Sequence, residues 1–212
     1  MTEITPKHNS VDYFVSSASF PCVAAKSASA RGNITEMTYG DMNEATKDAA
    51  ILDDLGEFIA TAHDESLRSF VAAFEAFEEA MWERLQALHD LDTRFCAWDT
   101  RVSCDPASPD FSFSLRGEAF FVIGLHPNAS RLSRRYFRPA LVFNLHEQFE
   151  TLRRQGRYDR MRDTIRKRDA ALCGSANPAL RNFGDRSEAA NTADAPRLMT
   201  GDAPFGLDAR GV

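Results

Sequence analysis

The spacing of apolar residues divides the chain into helical, extended and unpatterned segments. Apolar residues recur at helical spacing after Asn43, which can cap a helix that runs to about His63. A second helical pattern covers Glu75 to Asp92, and a third begins at Leu145 and breaks near Gly156. These patterns predict helices on both sides of the central part of the chain.

Short runs between these helices predict strands. Ser69 to Phe74 is largely apolar, and we favour a strand there because the following helix has an apolar stripe of its own. Phe111 to Leu115 alternates aromatic residues with serine, and Glu118 to Gly124 is nearly all apolar, so Arg116-Gly117 predicts the turn of an antiparallel hairpin. Ala140 to Phe143 predicts a further strand.

The order of these elements predicts an α+β fold, with a small antiparallel sheet packed with several α-helices. The length of 212 residues suits one domain, which we assign to residues 20–184. Residues 1–19 are polar and predict a loosely ordered arm or a short helix at Val11 to Val15. Arg31 to Asp41 predicts a loop or a short strand, and residues 185–212 predict an extended tail.

Composition excludes several classes of function. A net charge of -6 argues against nucleic acid as the main partner. No apolar run approaches the roughly 20 residues that span a bilayer, and the first ten residues lack a secretory pattern, so we expect a cytoplasmic protein. The four cysteines form no C-x-x-C pair and are expected to be free thiols. Dinucleotide, P-loop and serine-hydrolase motifs are absent from the sequence.

His126 lies where an apolar strand gives way to polar sequence, so a rigid element would hold the side chain and leave it open to a ligand. Arg131, Arg134 and Arg135 follow it closely. A histidine beside clustered arginines suits haem, because the iron needs an axial ligand and the propionates need cations. The alternative is a strand-end histidine that caps backbone groups beside a solvated basic loop.

His146 and Glu147 fall in the first turn of a helix that Asn144 can cap. The helix dipole there stabilises a carboxylate and favours the neutral imidazole, which is the form that binds metals. Glu147 could instead recognise a guanidinium group through two parallel hydrogen bonds. The alternative is an ordinary helix start.

Two further side chains are candidate iron ligands. His89 lies on the apolar face of its helix, as either a core residue or a haem ligand. Cys22 precedes Lys26, which can lower the pKa of the thiol. A thiolate would suit oxygen activation, and the alternative is a small buried thiol.

The arginine-rich run from Arg153 to Arg168 predicts a solvated, ion-paired helix face.

Several long blocks of the chain, in the same order, resemble the YqcI/YcgG family. They are FPCVAAKSA (Phe20 to Ala28), LQALHDLD (Leu85 to Asp92), SCDPASPDFSFS (Ser103 to Ser114), AFFVIGLHPNASR (Ala119 to Arg131), PALVFNLHEQFE (Pro139 to Glu150) and MRDTIRKRD (Met161 to Asp169). The resemblance covers most of residues 20–185. Characterised members look like haem-dependent N-hydroxylases of the guanitoxin and D-cycloserine pathways.

The resemblance implies haem b, dioxygen or peroxide as oxidant, an electron donor and a small guanidine-bearing substrate. The expected reaction is N-hydroxylation of a guanidino group, with L-arginine giving Nω-hydroxy-L-arginine in antibiotic or other specialised metabolism. The ending Ala203-Pro204-Phe205 lacks the tryptophan and cysteine found in relatives, so substrate choice can differ.

Two other functions are alternatives to an N-hydroxylase: a haem-binding or haem-sensing protein without catalysis, and an α+β interaction module without a cofactor. A homodimer is also expected.

The expected reaction, together with the residues around each candidate, gives roles to site residues. The iron ligand is expected to be His126 first, with His146 and His89 as alternatives, and Cys22 is a further cofactor-binding candidate. The expected propionate partners are Arg131, Arg134, Arg135 and Lys26. The carboxylates expected to orient the guanidinium are Glu147, Asp105 and Asp110.

Overall fold

The fold is described by a computed structural model for residues 9–62, 66–75, 81–175 and 177. Within these ranges the helices are α1 (Val11–Ser16), α2 (Val23–Ala30), α3 (Asp48–Ala60), α4 (Met81–Asp92), α5 (His146–Arg154) and α6 (Tyr158–Cys173). The strands are β1 (Ile34–Tyr39), β2 (Ser69–Phe74), β3 (Phe113–Leu115), β4 (Glu118–Leu125) and β5 (Ala140–Leu145). The predicted α+β class is confirmed.

The strands of the described chain form one sheet in the order β1-β2-β5-β4-β3. The pairs β2–β5, β5–β4 and β4–β3 are antiparallel, as expected. The pair β1–β2 is parallel and is connected through α3, so the sheet is mixed. The hairpin β3–β4 turns at Arg116 and Gly117, whose φ angles of 55° and 76° match a type I′ turn.

Side-chain alternation gives the sheet two apolar faces. In β2, Phe70, Ala72 and Phe74 face the main core with α3 and α4, whereas Val71 and Ala73 face α1 and α2. All of β2 is buried because both faces are covered. Burial on both faces is also why its sequence is a continuous apolar run rather than an alternating one.

The N-terminal segment contributes to the second face. The short helix predicted at Val11 to Val15 is present as α1, and Val11 and Val15 are buried against β2 and β5 together with Phe20. The backbone N–H of Val11 donates to Glu36 on β1 at 2.9 Å. Residues 10–20 therefore help to cover the second face of the sheet.

Two of the predicted helix caps are wrong. α3 begins at Asp48 after a 3-10 turn at Ala45–Lys47, so Asn43 does not cap it. α5 begins at His146 with Leu145 at its N-cap, while the Asn144 side chain donates to the carbonyl of Phe121. Asn144 Oδ1, the atom that would cap a helix, instead accepts the hydroxyl of Ser69 at 2.6 Å, and Asn43 Nδ2 donates to Asp41 at 3.1 Å.

Some predictions fall on residues that the structure does not describe. The expected tail, residues 185–212, lies outside the described ranges, as does the stretch 76–80 at the expected start of α4. Among the helices that are described, none combines the length and apolar character needed to cross a membrane.

Candidate functional site

A cavity of about 260 Å³ lies between the second face of the sheet and helices α1, α2, α5 and α6. Its floor is formed by side chains of β2, β4 and β5, namely Val71, Phe121, Ile123 and Val142. Its other apolar walls come from the N-terminal segment and the helices, and include Phe14, Phe20, Ala25, Met161 and Ile165. The cavity is therefore mostly apolar and large enough to receive a small organic ligand.

Arginines supply the positive charge around this cavity. Among the described lining residues they are Arg68, Arg134, Arg162 and Arg166. Arg134 is buried, with 7% of its surface exposed, and Arg162 forms ion pairs with Asp159 and Asp163 at 2.7 and 2.8 Å. An apolar cavity lined by arginine side chains favours a ligand that is itself apolar and carries anionic groups.

The other cations expected to hold a cofactor lie away from the cavity wall and bind other parts of the chain. Lys26 donates to a backbone carbonyl of the preceding loop at 2.6 Å, and Arg135 donates to a nearby carbonyl at 2.7 Å. Arg131 forms an ion pair with Asp169 at 2.5 Å. Of the four cations predicted from sequence, Arg134 alone lines the cavity in the described structure.

Cys22 lies on the cavity wall at the start of α2. It is the N-cap residue, and its Sγ accepts the backbone N–H of Ala25 at 3.4 Å. Burial raises the pKa of the thiol, while the N–H groups of Ala25 and Ala24 and the charge of Arg168 act in the opposite direction. The predicted lowering of this pKa by Lys26 is therefore wrong, because desolvation dominates.

The three histidine candidates do not reach the cavity wall of the described structure. His89 lies on α4, across the sheet, with its ring edge-on to Trp98 at 5.5 Å. His146 stacks on Phe121 at 5.1 Å, and it is Phe121 that lines the cavity. His126 follows β4 in a turn, where its backbone N–H donates to a carbonyl at 3.2 Å. None of the three histidines expected to bind the iron is therefore a lining residue of this cavity.

Burial lowers the pKa of both His89 and His146, so both imidazoles are neutral at pH 7. The neutral state expected for His146 thus arises from desolvation more than from the helix dipole. Glu150 lies 3.7 Å from His146 Nε2 and raises the pKa by a smaller amount. Both rings are packed against aromatic side chains, in keeping with structural roles.

The three carboxylates expected to bind a guanidinium are also outside the cavity wall. Glu147 is half exposed and pairs with Arg154 at 2.6 Å and Arg101 at 3.3 Å. Asp105 and Asp110 lie in the exposed loop before β3, where hydrogen bonds with nearby backbone groups and serine side chains hold the loop in place. The assignment of these three residues to substrate binding is not supported by their positions.

Asp169 is the one carboxylate among the described residues of the cavity wall. One of its oxygens pairs with Arg131, and the other accepts the hydroxyl of Ser133 at 2.7 Å. Asp169 therefore joins α6 to the 3-10 turn at Leu132–Arg134. Its helical spacing from Met161 and Ile165, which also line the cavity, is the sequence signal that could have identified this wall.

No group of three or more His, Cys, Asp or Glu side chains in the described ranges is arranged to hold a metal ion on its own.

A sequence model of the YqcI/YcgG family matches residues 11–192. The match begins at α1 and includes every helix and strand given above. A search of curated proteins and a search of solved structures found no match.

Proposed function

The chain belongs to the YqcI/YcgG family, and from that premise we propose that it is a cytoplasmic, haem-dependent N-hydroxylase of a guanidino group. The proposed substrate is free L-arginine and the proposed product is Nω-hydroxy-L-arginine. The observation that carries the proposal is the apolar cavity with Cys22 in its wall and arginines around it. The four cysteines are free thiols, as is usual in a reducing compartment.

The cavity residues fit haem b by their chemistry. Haem is a flat apolar macrocycle with two propionates, and the cavity combines apolar walls with four arginines among its described residues. Arg134 and Arg166 are the proposed propionate partners, because both line the cavity and lie next to its apolar wall. When bound, the haem would supply the oxygen-activating chemistry.

The reaction needs an external co-reactant. With dioxygen, a guanidine N–H becomes N–OH when one oxygen atom is inserted, and the other leaves as water after two electrons and two protons are supplied by an electron donor. With hydrogen peroxide the same product and water form without added electrons. The chain would position the nitrogen and exclude water with the apolar side chains of Val71, Phe121 and Ile123.

Amide oxygens on the cavity wall are the proposed partners of the guanidinium. Asn144 Oδ1 accepts the hydroxyl of Ser69 at 2.6 Å, and Gln148 Oε1 accepts the N–H of Arg68 at 2.8 Å. Each amide oxygen has a second lone pair that can accept from a substrate N–H. These two residues replace Glu147, Asp105 and Asp110 in the proposal.

A haem-binding or haem-sensing protein without catalysis is the second candidate. It is favoured by the absence of an uncommitted carboxylate among the described residues of the cavity wall, since Asp169 is already paired. A cationic substrate is usually recognised by a carboxylate, which neutral amides only partly replace.

The test is an absorption spectrum of protein expressed with a haem precursor, recorded with and without L-arginine. We expect a Soret band that shifts with L-arginine and not with L-citrulline, which has the same shape without the cationic guanidinium. Incubation with a reductant and oxygen, or with peroxide, should then yield hydroxyarginine by mass spectrometry. A Soret band without shift or product favours the second candidate, and colourless protein rejects both.

A further inference from the structure

Cys22 differs from the other candidate iron ligands in its position. Among the described residues, Cys22 lies on the cavity wall, whereas His89, His126 and His146 do not. His89 is separated from the cavity by the sheet itself, and His146 stacks on Phe121, which lines the cavity. A residue that binds the iron must reach the porphyrin ring. The position of Cys22 on the cavity wall is therefore stronger evidence for the iron ligand than the arginines that follow His126 in sequence.

We propose that Cys22 binds the iron of the haem through its sulfur, an inference that rests on the haem-dependent function proposed above. The side chain is partly exposed, it lines the cavity, and α2 holds it at a fixed helix start. The thiolate is the form that binds a metal, so coordination releases the thiol proton to solvent.

Two other side chains on the wall are chemically able to bind haem iron, Tyr158 and Met161. The guanidinium of Arg153 covers the ring of Tyr158, with its carbon 4.2 Å from the ring centre. Met161 offers a neutral thioether, which is a weaker ligand than a thiolate for ferric iron. Cys22 is the stronger ligand of the three.

The chain before Cys22 is held by two cations that would otherwise be candidates for the propionates. Lys26 Nζ donates to the carbonyl of Ser17 at 2.6 Å. Arg168 on α6 donates to the carbonyls of Ala18 and Phe20 at 2.8 and 3.0 Å. These bonds tie the loop to α2 and α6, and they fix the sulfur before any ligand arrives, as an axial ligand requires.

Two local features oppose the rise that burial causes in the pKa of the Cys22 thiol. Backbone N–H groups at the start of α2 point toward the sulfur, and the positive end of the helix dipole lies there. Arg168 adds a positive charge from α6. A thiolate ligand also donates electron density to the iron, which favours cleavage of the O–O bond.

The test compares haem-loaded wild-type protein with Cys22→Ser, using Cys173→Ser and His126→Ala as matched controls. Cys173 contacts Ser133 and Asp169 beside the cavity but does not line it. The readout is the Soret band of the ferrous carbonyl complex, which lies at distinctly longer wavelength with a thiolate ligand than with an imidazole. Electron paramagnetic resonance of the ferric protein provides a second spectrum.

We expect the long-wavelength band in the wild type and both controls and its loss in Cys22→Ser. An imidazole-type band in the wild type overturns the assignment even if Cys22→Ser fails to fold, and so does a Cys22→Ser spectrum identical to that of the wild type. Either result leaves haem binding intact. A wild type without any Soret band instead rejects the proposed function, and this inference with it.

Discussion

Arg84 and Asp48 form a buried ion pair that joins α4 to the start of α3. Their side chains are 4% and 6% exposed, and Arg84 Nε also donates to the carbonyl of Met42 at 2.6 Å. Burial raises the pKa of Asp48, and the hydrogen bond and charge of Arg84 oppose this rise. The pair therefore depends on both partners, since either charge alone would be buried without compensation.

We predict that Arg84→Met lowers the free energy of unfolding at pH 7 by about 3–5 kcal/mol. Without Arg84 the pKa of Asp48 rises further, so the folded state binds a proton more tightly than the unfolded state. Stability then increases as the pH falls from 7 toward the ordinary Asp value of 3.8. In urea denaturation, the difference in free energy of unfolding between the wild type and Arg84→Met should be smaller at pH 5 than at pH 7.

Two variants control this experiment. Arg94→Met removes an exposed arginine and should change stability by less than about 0.5 kcal/mol. Combining Arg84→Met with Asp48→Leu removes both charges and should recover much of the loss. A deficit that is equal at both pH values would mean that lost packing, rather than the unpaired carboxylate, explains the effect.

At the same scale, the sequence identified the residue types of the site better than their positions. Cys22 and Arg134 were candidates and line the cavity, although the elements that carry them, α2 and the 3-10 turn at Leu132–Arg134, were not predicted. Arg162 and Arg166 were assigned to a solvated helix face, yet they line the cavity too. Which face of α6 is covered depends on how the helix packs on the sheet, and local sequence does not determine that.

At the scale of elements, α2 explains why a cavity exists. After Val23 its helical sequence contains alanine, serine and one lysine, and no large apolar side chain. Ala24 and Ala28 are buried, while Ala25 lines the cavity. A helix of small residues lies over the apolar sheet without filling the space above Val71 and Val142.

We predict that Ala25→Trp abolishes haem uptake. The indole would occupy the cavity from its α2 side, so the dissociation constant for haem, measured by titration of the Soret band, should rise about a hundredfold or more, in line with loss of roughly 2.7 kcal/mol or more of binding free energy. Ala49→Trp places the same side chain on the exposed surface of α3 and should load haem normally. Normal loading of Ala25→Trp, with an unchanged circular dichroism spectrum, would locate the haem elsewhere.

The strands that were predicted from sequence are those whose own residues show a distinctive pattern of apolar positions. Ser69–Phe74 matches β2, and the hairpin was signalled by alternation around Arg116-Gly117. The parallel pairing of β1 with β2 was not predicted, because β1 is polar at several positions and its partner lies beyond α3. Pairing across such a connection depends on tertiary packing.

At the scale of the whole molecule, the two faces of the sheet have different roles. One face packs against α3 and α4 in a continuous core that includes Phe70, Phe120 and Phe143. The other face is covered by α1, α2, α5 and α6, which leave the cavity between them. Stability can therefore reside mainly in the first face, while the second remains able to accept a ligand.

This division predicts that haem stabilises a protein that already folds without it. At free haem one hundred times its dissociation constant, the free energy of unfolding should rise by about 2.7 kcal/mol. For a domain of this size that corresponds to an increase in Tm of about 5–10 °C. Thermal unfolding of the apo and haem-loaded protein, followed by circular dichroism, measures both quantities. Ala25→Trp should fold without haem and show no increase when haem is added. If the apo protein shows no cooperative transition, the cavity side must be part of the folding core, and the separation of roles between the two faces would be wrong.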